Sequence, residues 1–294
     1  ICVPSRAAPE GTQIIATRGG VGIEVQGATV VLGTQRVLDD VSLSIAPGEH
    51  VAIVGSSGAG KSSFLGMLLG LLERTQGEVR VDGMELEAYD IGRLRRECVW
   101  VDPQLQLWNQ SLLENLHFGN PTVARDPLRT ATDNLGLKEL LQRMPEGMAT
   151  PLGESGARVS GGEGQRVRLG RALLRRGARL VLLDEAFRGL DRGARRAYSR
   201  AMRSRVGQAT VLEITHDVAD TQAFHRILVI ENGKLVEQGR PADLLVQPSR
   251  YRALVEADLA VQRDVWGAAD WRRVVVDHGK VRTQDSEPGA TPHA

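Results

Sequence analysis

Gly55-Ser56-Ser57-Gly58-Ala59-Gly60-Lys61-Ser62 lies between two apolar runs, Val51-Ala52-Ile53-Val54 before it and Phe64-Leu65-Gly66-Met67-Leu68-Leu69 after it. The eight residues fit the phosphate-binding loop pattern at every fixed position. Glycines without a Cβ let the backbone curl around a polyphosphate with its N–H groups inward, and a helix starting at that point adds the positive end of its dipole. Lys61 is placed to reach the β- and γ-phosphates, and the Ser62 hydroxyl to complete the coordination of Mg²⁺. The candidate nucleotide contacts are therefore Gly55, Ser56, Ser57, Gly58, Ala59, Gly60, Lys61, Ser62 and Ser63. An ordinary glycine-rich turn would not need this register between a strand and a helix.

Composition narrows the setting. The 294 residues are 41% hydrophobic, enough for one large or two small domains with a real core. Thirty-seven basic residues stand against 36 acidic ones, a formal charge of +1, so electrostatics makes no case for nucleic acid or an anionic membrane surface. Cys2 and Cys98 lack the paired spacing of a disulfide framework or a zinc site and read as free thiols. No apolar run approaches the roughly 18 to 20 residues of a membrane helix, and the run at 64–72 reads as a buried helix. Residues 1–20 begin with Ile1 and carry Pro4, Pro9, Gly11 and Gly19-Gly20 in the manner of a linker, as expected of a piece of a longer polypeptide.

Residues 21–31 and 41–45 carry alternating or β-branched apolar residues and predict an antiparallel sheet. Strands are predicted at 49–54, feeding the phosphate loop, and at 77–83 and 97–101. From 111 to about 144 the periodicity turns helical, with Leu112, Leu113, Leu116, Leu135, Leu137, Leu140 and Leu141 on recurring faces. Helix is predicted again at 163–176 and 192–205, strand at 180–183 and 210–214, and a hairpin over 226–237 around Asn232-Gly233. The alternation implies an α/β fold with a mostly parallel sheet, helices on both faces and a helical insertion over about 104–160.

Three later stretches carry chemistry. Val159-Ser160-Gly161-Gly162-Glu163 places small residues at a second helix N-terminus, another anion-binding end. Leu180-Val181-Leu182-Leu183-Asp184-Glu185 runs four apolar residues into two carboxylates: Asp184 at a strand's C-terminal edge suits Mg²⁺, and Glu185 suits polarising a water for attack on a γ-phosphate. Val211-Leu212-Glu213-Ile214-Thr215-His216 ends a further strand on a histidine.

With these residues in this order, the chain resembles the nucleotide-binding domain of an ABC transporter over about 21–246. Phosphate loops are shared with kinases and GTPases, but a Ser-Gly-Gly signature 98 residues after Ser62 is not. Pro151-Leu152-Gly153-Glu154-Ser155-Gly156 further resembles the segment preceding the signature in exporters. The resemblance implies a P-loop core with an antiparallel β subdomain and an inserted helical subdomain, and two such domains sandwiching two ATP molecules. Ser160, Gly161 and Gly162 would contact the γ-phosphate in the partner's phosphate loop. It further implies Glu185 as general base, Asp184 as Mg²⁺ ligand, His216 as the histidine holding the γ-phosphate, and Asp191 of Gly189-Leu190-Asp191 as a link across the interface. Partners would be a second nucleotide-binding domain and a transmembrane domain, at the cytoplasmic face of the membrane, with no nucleic acid.

Two positions depart from the family pattern. The glutamine of the loop entering the helical insertion falls on Pro103, which leaves neighbouring Gln104 as the expected contact to Mg²⁺ and water. The segment that usually stacks an aromatic on adenine is Val30-Val31-Leu32-Gly33-Thr34-Gln35-Arg36, where Leu32 offers only apolar contact. Stacking worth about 1 to 3 kcal/mol is missing, so weak affinity and loose base selectivity are expected. The Arg-rich run 188–205 reads as a solvated helix face, with an anion-binding surface as the alternative; Trp100 and Trp108 read as packing residues, with contact to a transmembrane partner as the alternative; and His117, His225 and His278 read as structural. In the tail, a helix is expected over 251–261, then a small hairpin at 274–281 and a disordered end over 283–294. Two other readings fit the motifs: a soluble ABC-type ATPase acting on DNA or ribosomes, which lacks its usual coiled coil or tandem cassette here, and a catalytically silent half of a heterodimer.

Overall fold

Each motif-bearing strand ends at the same edge of one six-stranded sheet. The computed structural model describes residues 19–87, 89, 91–102, 104, 106–118, 125–175, 177–266, 273–277 and 280–284. The sheet runs β10 (Lys234–Gly239), β9 (Arg226–Glu231), β3 (His50–Val54), β8 (Thr210–Ile214), β7 (Leu180–Asp184), β6 (Cys98–Val101). All its pairs are parallel except β9 with β10, the hairpin anticipated around Asn232-Gly233. Its central strands are buried on both faces, so they read as mostly apolar runs, with Glu213 of β8 a buried exception.

A second, antiparallel sheet has the order β2 (Gln35–Ile45), β1 (Ile23–Leu32), β4 (Gln76–Val81), β5 (Met84–Glu85). It shares a core with one face of the parallel sheet around α1 (Lys61–Leu68), through Phe64, Leu65, Val30, Leu38, Ile53 and Leu212. The strand expected to begin at 41 starts at Gln35, because the exposed residues Gln35 and Arg36 pair back onto β1 as Leu32↔Gln35 and Val31↔Arg36. The apolar run at 64–72 leaves the helix after Leu68, and Leu71 is exposed.

The helical insertion is three short helices, α3 (Leu112–His117), α4 (Arg125–Asn134) and α5 (Leu137–Arg143), packed on α6 (Gly161–Leu174). Leu112, Leu116, Leu135, Leu137 and Leu140 all face this second core, as their spacing predicts. Helix α2 (Ile91–Arg96) lies between β5 and β6 and, with β5, was not foreseen, each element being too short to show a period. Trp108 stacks on Phe118 at a centroid distance of 4.0 Å with the Arg171 guanidinium over its ring, a packing role as expected.

A third core joins the far face of the parallel sheet to α8 (Pro241–Val246) and α9 (Arg250–Trp266). Tyr251 is fully buried there, its hydroxyl 2.9 Å from Thr221 Oγ1, and Asp258 accepts from the Ala219 N–H. Helix α9 thus packs on the 3₁₀ segment Val218–Ala223 that follows His216. The tail hairpin is β11 (Arg273–Asp277) with β12 (Lys280–Gln284); Thr283 and Gln284 pair with Val274 and Arg273, which corrects the expected disorder at those two positions because cross-strand hydrogen bonds extend the hairpin. His278 and residues 285–294 lie outside the described residues, as do residues 1–18 with Cys2. Gly19 and Gly20, the end of the expected linker, are held by the Arg179 guanidinium, which donates to both carbonyls at 2.9 Å. Cys98 is a free thiol as expected, and burial pushes it up to about 12, so it is an inert core residue.

Candidate nucleotide site

The register of the parallel sheet brings together motifs that are far apart in sequence. Ile53 of β3 pairs with Ile214 of β8, and Ile214 pairs with Asp184 of β7. The loops leaving these strands, at Gly55, Glu185 and Thr215, therefore emerge side by side at the C-terminal edge, where ligands of open α/β sheets bind. Two backbone positions show why the loop needs glycine. Gly55 has φ 144° and a Cβ there would stand 2.0 Å from the Ile230 carbonyl oxygen; Gly60 has φ 100° and would meet Val37 O at 2.4 Å.

In the loop itself, Lys61 is 5% exposed and its ammonium donates to Gly55 O at 2.9 Å and Ser56 O at 2.7 Å. Desolvation lowers its pKa, opposed by the carboxylates of Glu185 and Asp184. Helix α1 begins without a side-chain cap and without an acidic residue in its first turn, so its N-terminal N–H groups are open to an anion. The Ser62 side chain hydrogen-bonds Asp184, whose pKa burial raises; the charges of Asp102 and Glu185 add to the rise, while Ser62 and Lys61 oppose it. A hydroxyl and a carboxylate side by side beside an uncapped helix end are a donor set suited to Mg²⁺ with a bound triphosphate.

Glu185 adopts φ 45°, a left-handed conformation unusual for a residue with a Cβ, and its N–H donates to Ile214 O at 3.0 Å. Its Oε1 lies 2.8 Å from His216 Nε2. Glu185 and His216, 31 residues apart, line one cavity of about 370 Å³ with Ser57 of the phosphate loop, Arg188, Arg195 and Thr215. Ser160, Gly161 and Gly162 lie outside this cavity. Ser160 caps α6 through a reciprocal pair with Glu163, and Gly162 packs toward the Gly189 carbonyl. Ser160 and Gly161 are exposed. Asp191 is exposed and caps α7 (Arg192–Arg205) by accepting from the Ala194 N–H at 2.9 Å.

Leu32 stands 45% exposed at the β1–β2 hairpin. Gln104 is exposed, and its N–H donates to Asp102 Oδ1 at 2.7 Å; Pro103 lies outside the described residues. Three residues at the site were not singled out. Asp102 ends β6 with its charge felt at Asp184, Gln165 of α6 donates to the Ala186 carbonyl behind the catalytic turn, and Arg188 pairs with Glu185 at 3.3 Å. For Asp102 the available signal was its place at the end of a strand next to β7. The Arg-rich helix α7 is largely solvated as expected, although Arg195 pairs with Asp217 and Arg196 with Asp220.

Comparison with known proteins agrees with this arrangement. The ABC transporter family model matches residues 38–188, half of the chain. The chain is 35% identical over 250 residues to the ATP-dependent lipid A-core flippase of Burkholderia thailandensis, covering 84% of this chain and 42% of the relative. It is 33% identical over 227 residues to heavy metal tolerance factor 1 of Caenorhabditis elegans, covering 77% of this chain and 28% of that protein. A bacterial Atm1-family ABC exporter with ATP bound superposes with a TM-score of 0.77 at 27% identity, over 85% of this chain and 44% of the exporter. The fold is that of an α/β P-loop protein with an inserted helical subdomain. The chain belongs to the ABC transporter family, as an exporter-type ATP-hydrolysing domain. It spans less than half the length of these relatives. Among the described residues no helix is long and apolar enough to cross a membrane.

Proposed function

We propose that this chain powers an exporter-type membrane domain, separate or upstream, by closing on ATP with a second nucleotide-binding domain and reopening after hydrolysis, at the cytoplasmic face of the membrane. The observation that carries this reading is the cavity in which Ser57, Glu185 and His216 meet beside the Ser62–Asp184 contact.

The residues divide the work as phosphoryl transfer requires, by positioning and charge. The N–H groups of residues 55–63 and Lys61 hold the phosphates; Ser62 and Asp184, with Gln104 from the adjoining loop, hold Mg²⁺. The ion, when bound, neutralises charge on the β- and γ-phosphate oxygens. Glu185 takes the proton of the attacking water, and His216, in contact with Glu185, orients both base and γ-phosphate. Ser160, Gly161 and Gly162 reach the partner's nucleotide, supported by their place at a helix N-terminus with Ser160 and Gly161 exposed, and the exposed Asp191 links across the same interface. The whole domain is assigned to 21–246, with 1–20 as linker and 247–294 as a C-terminal helix and tail. The relatives' names span a lipid A-core flippase and a heavy metal tolerance factor, so the shared cassette speaks for the power source and leaves the cargo open.

The test is the molar mass of Glu185→Gln in solution with and without Mg·ATP. Without its base the closed sandwich should persist, giving a monomer that becomes a dimer only with ATP. A variant that binds ATP yet stays monomeric at high concentration refutes self-association of this chain, and one that binds none refutes the site.

A further inference from the structure

Both oxygens of Glu185 are occupied in the structure. Oε1 faces His216 Nε2 at 2.8 Å, and Oε2 accepts from Arg188 Nη1 at 3.3 Å. Each carboxylate oxygen carries two lone pairs, so these contacts leave room for a water, but the water reaches Glu185 most freely if one partner leaves. Arg188 is the one able to. Its side chain is 75% exposed, and a single-contact ion pair at that exposure holds weakly.

The destination of the guanidinium is set by the same cavity. Two arginines line it, and Arg195 is bound to Asp217, whereas Arg188 pairs with the base itself. Ser57 of the phosphate loop lines the same cavity and marks where the terminal phosphate of a nucleotide seated in the loop arrives. A phosphate offers several charged oxygens to the planar fork of an arginine, a stronger match than one carboxylate oxygen at 3.3 Å. Even with Mg²⁺ bound the triphosphate is net negative, and Lys61 supplies only one cation from within the loop.

We propose that Arg188 is a phosphate-binding residue, parked on Glu185 in the empty site, which moves to the terminal phosphate of a nucleoside triphosphate bound in the same chain and thereby frees Glu185 Oε2 for the water. This rests on the ATPase reading above. It makes the base most accessible when a terminal phosphate is present, because a diphosphate brings no group to that end of the cavity. The water's proton then passes to the oxygen that Arg188 has left, with no further reactant needed.

The experiment compares wild type with Arg188→Ala and Arg188→Lys by titrating Mg·AMP-PNP and Mg·ADP calorimetrically and measuring ATP turnover at saturation. Removal of a charged phosphate contact should weaken AMP-PNP binding by about tenfold or more while ADP affinity stays within about twofold. Turnover of Arg188→Ala should fall by about tenfold, with Arg188→Lys between it and wild type because a point charge replaces the fork. Equal losses for both nucleotides would mark a merely structural role and overturn the proposal, as would faster turnover in Arg188→Ala, which would make the residue a brake. A wild-type chain that binds neither nucleotide would instead overturn the ATPase reading on which the proposal stands.

Discussion

Glu213 sits inside β8, the strand that delivers His216, and stability should depend on its charge. The residue is 4% exposed, and its Oε2 has no hydrogen-bond partner among the described residues. It borders a cavity of about 200 Å³, across which Arg203 lies with its own Nη1 unpartnered. Burial pushes the Glu213 carboxyl from 4.5 up to about 7, with the charge of Arg203 opposing the rise. An acid raised in the folded state binds more protons folded than unfolded between those two values. Stability from this group is therefore full below about pH 4.5, falls as pH rises through 7 and is lowest above. Ionising a carboxyl displaced that far costs about 3 kcal/mol, at 1.36 kcal/mol for each pH unit. The assay is urea unfolding of wild type and Glu213→Gln from about pH 5 to about pH 8.5, where every other titrating group is common to both and cancels. The glutamine variant should gain on wild type as pH rises, the gap widening by about 2 to 3 kcal/mol across the range. A gap that does not change with pH would refute the reasoning, since it would mean that Glu213 titrates alike folded and unfolded.

Two further substitutions test other parts of the structure. Leu32→Tyr supplies the missing ring at an exposed position beside the loop; stacking of about 1 to 3 kcal/mol should tighten ATP binding by about fivefold to a hundredfold in a calorimetric titration, and no change would show that the base lies elsewhere. Tyr251→Phe removes the buried hydroxyl 2.9 Å from Thr221 Oγ1. It should lower unfolding free energy by about 1 kcal/mol in urea titration without altering nucleotide affinity, and an affinity change would reveal coupling from α9 to the His216 loop.

Much of the fold was legible because its signals are local. Strand β7 is a continuous apolar run up to Asp184 and β8 is apolar apart from Thr210 and Glu213, α7 begins at an Asp N-cap and was placed at both ends, and the leucines of α3 and α5 recur at helical spacing. The elements that escaped, β5, α2, α8 and the early start of β2, are short or exposed, and they form because neighbours pair with them or cover them. In the site, loop and carboxylates were legible because phosphate chemistry demands particular residue types in order. Arg188 and Gln165 were not, since a guanidinium three residues beyond a base, or an amide behind a turn, follows no spacing rule.

The amino-acid order by itself determined the phosphate loop, the strand that ends in Asp184 and Glu185, the strand that ends before His216, and so the class of chemistry. Each depends on contacts between near neighbours in the chain. Only the tertiary structure decided that these three strands are adjacent, that Ser62 meets Asp184, and that His216 and Arg188 share the two oxygens of Glu185. Strand order in a parallel sheet is set by which apolar faces pack together over separations of more than a hundred residues, and the orientation of a charged side chain by the partners that packing leaves within reach.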